Sequence, residues 1–195
     1  MLILTDVHKS FGDSRILNGV DLHLERRFVY TLRGGSVEFK GKKISCFAPF
    51  RVNRLGIGRT FQDLRLASQM SVYENILLAL EAKLFAYPTK EQQIRVGEIL
   101  EKVSLSDKRD ELAGEISYGQ QKLLTLGCCI ANNAELLLID EPVAGIDKDN
   151  LLKITELVGQ LKREGKTILQ IEHNQNYIDA TSDHVFVMEK GRIAC

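Results

Sequence analysis

Polar and apolar residues alternate near the start of the chain. Val20, Leu22 and Leu24 are separated by Asp21 and His23, which predicts a strand with one buried face. Leu2 to Val7 reads as a partner strand, with Phe11-Gly12-Asp13 as the turn between them. Ser36 to Lys40 reads as a third, with Val37 and Phe39 on one side and Gly41 closing it. Together they predict a small antiparallel sheet. The period then changes. Arg51 to Leu55 reads as a short helix ended by Gly56, and Leu64 to Met70 has no clear period. Ser71-Val72-Tyr73-Glu74 is a capping box, opening a helix whose apolar positions are Ile76, Leu77, Leu80 and Leu84. Pro88 and Thr89 break it, and a second helix follows from Lys90 to Val103 with Ile94, Val96, Ile99, Leu100 and Val103 apolar. Leu105 to Gly114 reads as polar connection. Further on, Leu136 to Ile139, Thr167 to Ile171 and Val185 to Met188 are short apolar runs that read as buried strands. Asn150 to Arg163 places Leu151, Ile154, Leu157, Val158 and Leu161 on one helix face, which should cover the sheet. Strands alternating with helices predict a parallel sheet. Gly191-Arg192-Ile193 begins a hairpin return.

The candidate chemistry sits at the ends of these elements. Asp140 and Glu141 end the Leu136 run, at the carboxyl end of a strand, where open α/β sheets bind ligands. One such carboxylate can hold Mg²⁺ and the next can orient an attacking water. Acids before a proline are also common in plain turns, here Pro142. Ser117-Tyr118-Gly119-Gln120-Gln121 opens a helix with Ser117 placed to cap it; such a start offers free N–H groups and a positive dipole end to a phosphate. Ala144-Gly145-Ile146-Asp147 makes a second turn, and His173 follows the Thr167 strand.

This ordered set resembles the ATP-binding cassette (ABC) ATPases. Ser117 to Gln121 is similar to their signature motif, Leu136 to Asp140 to the Walker B strand, Ala144 to Asp147 to the D-loop, and Thr60-Phe61-Gln62-Asp63 to the Q-loop. The resemblance implies a P-loop NTPase-like (RecA-like) α/β fold with a small antiparallel β subdomain and a helical arm. It implies that Glu141, His173 and Gln62 are catalytic, and that Asp140 and Gln62 serve the Mg²⁺. It places Phe11 on adenine, and gives Ser117, Tyr118, Gly119, Gln120 and Asp147 to nucleotide binding. The expected cofactors are ATP and Mg²⁺. The implied division is a single domain over 1–195, with 1–50 as the β subdomain, 64–115 as the helical subdomain and 116–195 as the Walker B and signature core. The implied partners are a second cassette, as homo- or heterodimer, and a membrane subunit docked on the arm 64–115. Tyr118 replaces a glycine of the commonest signature; with Gly56 to Gln62, that variant looks most like branched-chain amino acid importers.

The phosphate loop of the family, G-x-x-x-x-G-K-[ST], has no counterpart after Leu24. Leu24 to Gly35 runs straight into Ser36 to Lys40, as though a core strand, the loop and the helix behind it had been deleted. Gly165-Lys166-Thr167 has the right ending but the wrong context, helix then strand, and reads as a helix-terminating turn. Gly41-Lys42-Lys43 lacks the first glycine. Three readings follow: an ATP-hydrolysing motor of an importer, a catalytically dead cassette that lends its signature motif in trans, and a non-functional internal-deletion product. Without the loop's N–H cradle and lysine, the chain alone is expected to be inactive. A deletion through the sheet should cost more than a domain's roughly 5–15 kcal/mol of net stability unless the rest repacks. Arg26 to Leu32 can supply a substitute strand, because Phe28, Tyr30 and Leu32 alternate.

Composition adds exclusions. Among 195 residues, 26 basic and 26 acidic ones give net charge zero, so bulk charge does not argue for nucleic acid or an acidic membrane. No apolar run approaches the roughly 20 residues of a span, and Met1 to Asp6 lacks a signal peptide's pattern. Cys46, Cys128, Cys129 and Cys195 show no metal spacing, which suits a reducing cytoplasm. The expected location is the cytoplasm, peripheral on the inner face of the cell membrane. The chain also looks short at its C-terminus against the family pattern.

Overall fold

The computed structural model describes residues 2–11, 14–24, 29–30, 38–39, 42–43, 51, 55–60, 64–80, 87–131, 133–189 and 192–194. The described residues form two four-stranded sheets and one two-stranded hairpin. The first is antiparallel, as the alternation predicts. β1 (Leu2–Phe11) and β2 (Ser14–Leu24) form a hairpin. After β3 (Val29–Tyr30) come β4 (Glu38–Phe39) and β5 (Lys42–Lys43), and the sheet order is β2-β1-β4-β5. The hairpin is longer than its alternation suggests. Irregularities between Leu4 and Val7, Val7 and His8, and Lys9 and Ser10 shift the register and so erase the period of two beyond Val7. Val20 and Leu22 are buried while Asp21 is exposed.

The second sheet is parallel and carries the site. It holds β6 (Ile57–Arg59), β7 (Leu136–Asp140) and β8 (Thr167–Ile171). Its order is β3-β8-β7-β6. In β7, Leu136, Leu137 and Ile139 are all buried, so both of its faces are covered. Val29 and Tyr30 pair in parallel with Ile168 and Leu169. The sheet edge beside β8 is therefore held by the residues read as a substitute strand; Phe28 and Leu32, the other members of that alternation, lie outside the described residues. The expected third apolar strand of this sheet, Val185 to Met188, is not part of it. Among the described residues, β9 (Val187–Glu189) pairs with β10 (Arg192–Ala194) alone, as an antiparallel hairpin, and Val185 and Val187 are both 54% exposed. A short apolar run carries no mark that separates a buried strand from a hairpin arm.

The helices form as their caps dictate. α1 (Val72–Ala79) starts at the expected capping box: Glu74 N–H donates to Ser71 Oγ at 3.1 Å and Ser71 N–H to Glu74 Oε2 at 2.8 Å. Leu80 caps its C-terminus, and Leu84 lies outside the described residues. α2 (Lys90–Lys102) starts with a second capping box, Thr89 with Gln92, that the sequence reading passed over. Ile94 is 64% exposed and not part of the buried stripe; Val96, Ile99, Leu100 and Val103 keep helical spacing, and Ile94 falls off it. The stretch from Leu105 to Gly114 is more than polar connection. Leu105 and Ala113 are buried and Leu112 bridges Ser71.

Beyond these lie α3 (Tyr118–Ala131), α4 (Lys148–Arg163) and α5 (Gln175–Thr181). α3 lies at the centre of the core. One cluster of buried side chains runs from Val72, Ile76 and Ile99 of the arm, through Leu123 and Leu124, to Leu137, Ile154 and Leu161. The arm thus packs on α3 as well as on itself. Gly165 confirms the decoy reading of Gly165-Lys166-Thr167. At φ +84°, its N–H donates to Lys162 O and Lys166 N–H to Leu161 O, a Schellman ending of α4.

The end of α2 has the same form without a glycine. Ser104 sits at φ +55°, with its N–H on Glu101 O and Leu105 N–H on Leu100 O. Ser104 is exposed, so its side chain gains no packing for this backbone strain. Ser104→Gly should raise stability by about 1 kcal/mol, measured as a higher urea midpoint at unchanged slope.

Candidate functional site

Three of the named residues, Asp140, Glu141 and His173, lie at the carboxyl ends of β7 and β8. Asp140 is the last residue of β7, and its N–H donates to Thr60 Oγ1 at 2.9 Å. Glu141 follows with φ +45°, a left-handed backbone on a non-glycine residue at a strand end. Its N–H donates to Ile171 O at 3.0 Å. His173 Nε2 stands 3.9 Å from Glu141 Oε1, too far for a hydrogen bond but close enough for a water or a ligand atom to join them. The imidazole is 75% exposed and the Glu141 side chain 26%, so the pair opens to solvent from the histidine side.

A second group forms where α3 and α4 begin. Ser117 Oγ accepts from Gln120 N–H at 3.3 Å, and Gln120 Oε1 accepts from Ser117 N–H at 2.8 Å. This reciprocal cap fixes the turn and leaves Ser117 and Tyr118 on the surface. Gly119 is buried against α4, where an added Cβ would lie 2.5 Å from Asn150 Nδ2. Asn150 in turn donates to Asp147, from N–H at 2.9 Å and from Nδ2 at 2.6 Å. Those hydrogen bonds, the backbone one foremost, hold the Asp147 carboxyl below its ordinary value. Asp147 is therefore the N-cap of α4, and both its oxygens are engaged within the turn.

Lys122 joins the two groups. It lies on α3 at 8% exposure and donates from Nζ to Glu141 O. Its ammonium also lies 5.3 Å from the centre of the Tyr118 ring. Burial pushes the Lys122 amine below its ordinary value, while Glu172, Glu141 and Asp140 pull it back up. A small cleft lined by Thr60, Leu64, Lys122, Leu126 and Asp140 opens beside it, with about 20 Å³ available to water centres.

Two named residues are not placed. Gln62 lies outside the described residues. Phe11 ends β1 opposite Ser14, and the side chain that would stack on adenine is outside the described part. Conversely, the structure brings in Lys122, Asn150 and Glu172, which belong to none of the motifs above, and sets Thr60 of the Q-loop-like stretch against the Asp140 N–H. Glu172 carries a signal in the sequence, since like Asp140 and Glu141 it is an acid at a strand end. Cys128 and Cys129 take no part; burial pushes both thiols up to about 12.

A parallel sheet with acids at its strand ends, a capped helix start and a helical arm packed on α3 make the architecture of a nucleotide-binding cassette. The sequence profile of the ABC transporter family matches residues 26–144, and the chain belongs to that family. It is 29% identical over 216 residues to the high-affinity branched-chain amino acid transport ATP-binding protein BraF of Pseudomonas aeruginosa, covering 93% of this chain and 85% of the relative. It is 28% identical over 212 residues to the ribose import ATP-binding protein RbsA of Bacillus subtilis, covering 97% of this chain but 43% of that relative. Its fold matches a nucleotide-free ATP-binding cassette from an ABC transporter with TM-score 0.85 at 28% identity, over 100% of this chain and 89% of the other. A dimeric post-hydrolysis cassette bound to ADP and Pi matches with TM-score 0.84 at 21% identity, a likeness of fold. The relatives span amino acid, ribose and xylose importers, so the family fixes an ATP-binding transporter subunit and leaves the solute open. Among the described residues, no helix is long and apolar enough to cross a membrane.

Proposed function

We propose that this chain is the cytoplasmic nucleotide-binding subunit of an importer of the branched-chain amino acid type, and that it works as one of two unlike cassettes. In this reading its Ser117–Gln120 turn completes the nucleotide site of a partner that has an intact phosphate loop. The observation that carries the reading is the reciprocal Ser117–Gln120 cap, which leaves a preformed, exposed helix start in a chain whose sequence has no phosphate loop. A helix start suits a phosphate through its free N–H groups and dipole. The amino acid assignment rests on Tyr118 in the signature, on the Gly56 to Gln62 stretch, and on BraF and LivG among the relatives.

The residues present fit Mg-ATP in part. Asp140 and Glu141 make an oxygen donor pair at a strand end, which suits Mg²⁺. When bound, Mg²⁺ supplies charge neutralisation on the phosphates. Asp140 would hold it and Glu141 would orient a water, with His173 Nε2 standing 3.9 Å from Glu141 Oε1 on the solvent side. Nothing in the sequence supplies the loop that would wrap the triphosphate. The reading also assigns 1–50 to the β subdomain, 64–115 to the arm that meets a membrane subunit at the inner membrane face, and 116–195 to the signature and Walker B core.

The test is an ATPase assay of this chain reconstituted with a partner cassette that has an intact phosphate loop. Ser117→Arg should lower the rate of the pair by about tenfold or more, since a bulky cation replaces a small cap at the phosphate-facing helix start. An unchanged rate with normal pairing would sink the reading.

A further inference from the structure

We infer that Glu172 is a positioning residue that sets the spacing of Glu141 and His173, an inference that rests on reading those two as site residues. Glu172 is the residue after β8, and the alternation that buries Ile168 and Gln170 buries it as well, at 7% exposure. A buried carboxylate must find donors, and this one has three. Its Oε2 accepts from His173 N–H at 2.7 Å and from Asn174 N–H at 3.0 Å. Its Oε1 accepts from Val143 N–H at 3.0 Å. The first two belong to the loop that carries His173, the third to the loop that carries Glu141. One side chain thus spans the two loops behind the 3.9 Å pair.

The rest of the clamp is backbone and lysine. Glu141 N–H is held by Ile171 O, and Glu141 O accepts from Lys122 Nζ. These fix the left-handed Glu141 peptide from the strand side and from α3. The loop beyond it, Pro142 and Val143, is held by Glu172 at Val143 N–H and by the longer turn bond from Ala144 N–H to Glu141 O, 3.4 Å. All these contacts form among the chain's own residues. The geometry of the pair is thus set by a buried carboxylate whose oxygens are taken up by backbone N–H groups of both loops.

The experiment is a double-mutant cycle read by NMR on the nucleotide-free chain. In the wild-type background, Glu141→Gln should shift the His173 ring resonances, because the charge it removes lies beside Nε2. In a Glu172→Ala background the same substitution should shift them far less. Glu172→Gln, which keeps one acceptor oxygen, should restore part of the coupling. Amide exchange at Val143, His173 and Asn174 should quicken by about tenfold in Glu172→Ala, while amides inside β7 and β8 keep their protection. Loss of protection throughout both strands, or an undiminished Glu141 effect on the ring, would overturn the inference. Mg-ATP is absent from this cycle, so a failure of the nucleotide-binding reading would show separately, in titrations.

Discussion

Titrated with Mg-ATP at millimolar concentration, the isolated chain should give no saturable heat. A triphosphate is held chiefly by charge-assisted hydrogen bonds from a wrapped backbone and a lysine. Each is worth about 1.5–3 kcal/mol, so losing even two of them weakens binding by about 3–6 kcal/mol, roughly 10²–10⁴-fold. Asp140, Glu141 and His173 do not compensate. Two are carboxylates, which repel phosphate unless Mg²⁺ lies between, and the imidazole is the most exposed of the three. Lys122 does not substitute either, because its ammonium is buried at the Glu141 carbonyl. Calorimetry with Asp140→Asn as control decides the matter. A saturable heat abolished by that substitution would mean that another backbone, such as Arg33-Gly34-Gly35, cradles the phosphates, and the chain would then be a motor in its own right.

The same contrast explains what was legible in the sequence. The strand-end acids, the Ser71 box, the Ser117 cap and the α4 face were readable because each rests on local spacing. Such signals survive in one dimension. Lys122's bond to Glu141 O, Glu172's bond to Val143 and Asn150's contact with Gly119 were not readable in the same way, because they join elements distant in the chain. Lys122 reaches a carbonyl nineteen positions on, and on a helix surface a lysine is ordinarily solvated. Gln170 is a similar case: a polar residue inside an apolar strand, fully buried because Tyr177 Oη donates to it and it donates to Thr181 and Ser182. The short terminal run, Val185 to Met188, misled for the opposite reason. Its apolar residues satisfy the local pattern, but its hydrogen-bonding partner is the β10 arm and not the parallel sheet. β3 was legible only as an alternation without a partner, and its pairing with β8 gives that alternation a place.

Gly119 shows where local and tertiary rules oppose each other, and the outcome can be measured. Helix propensity alone says that Gly119→Ala in the first turn of α3 should stabilise by up to about 1 kcal/mol. Packing says otherwise. The new Cβ would stand 2.5 Å from Asn150 Nδ2, 2.7 Å from Cγ and 2.8 Å from Cβ. Asn150 cannot swing away cheaply, since its Nδ2 is held at 2.6 Å by Asp147 and it is 8% exposed. The helices must then separate, and both contribute to the same core through Leu123, Leu124, Ile154 and Leu157. The overlap should win, with a net loss of about 1–3 kcal/mol, seen as a lower denaturation midpoint. The mechanism is checked by repeating the substitution on Asn150→Gly, which removes all three offending atoms. There Gly119→Ala should cost almost nothing or stabilise, giving a coupling of about 1–3 kcal/mol between the two sites. An equal loss in both backgrounds would mean that the clash is not with Asn150. If the coupling is found, the turn at Ser117 and the turn at Asp147 are one mechanical unit, because Asn150 touches the first through Gly119 and caps the second through Asp147. A partner or nucleotide that moves one of them must then move the other.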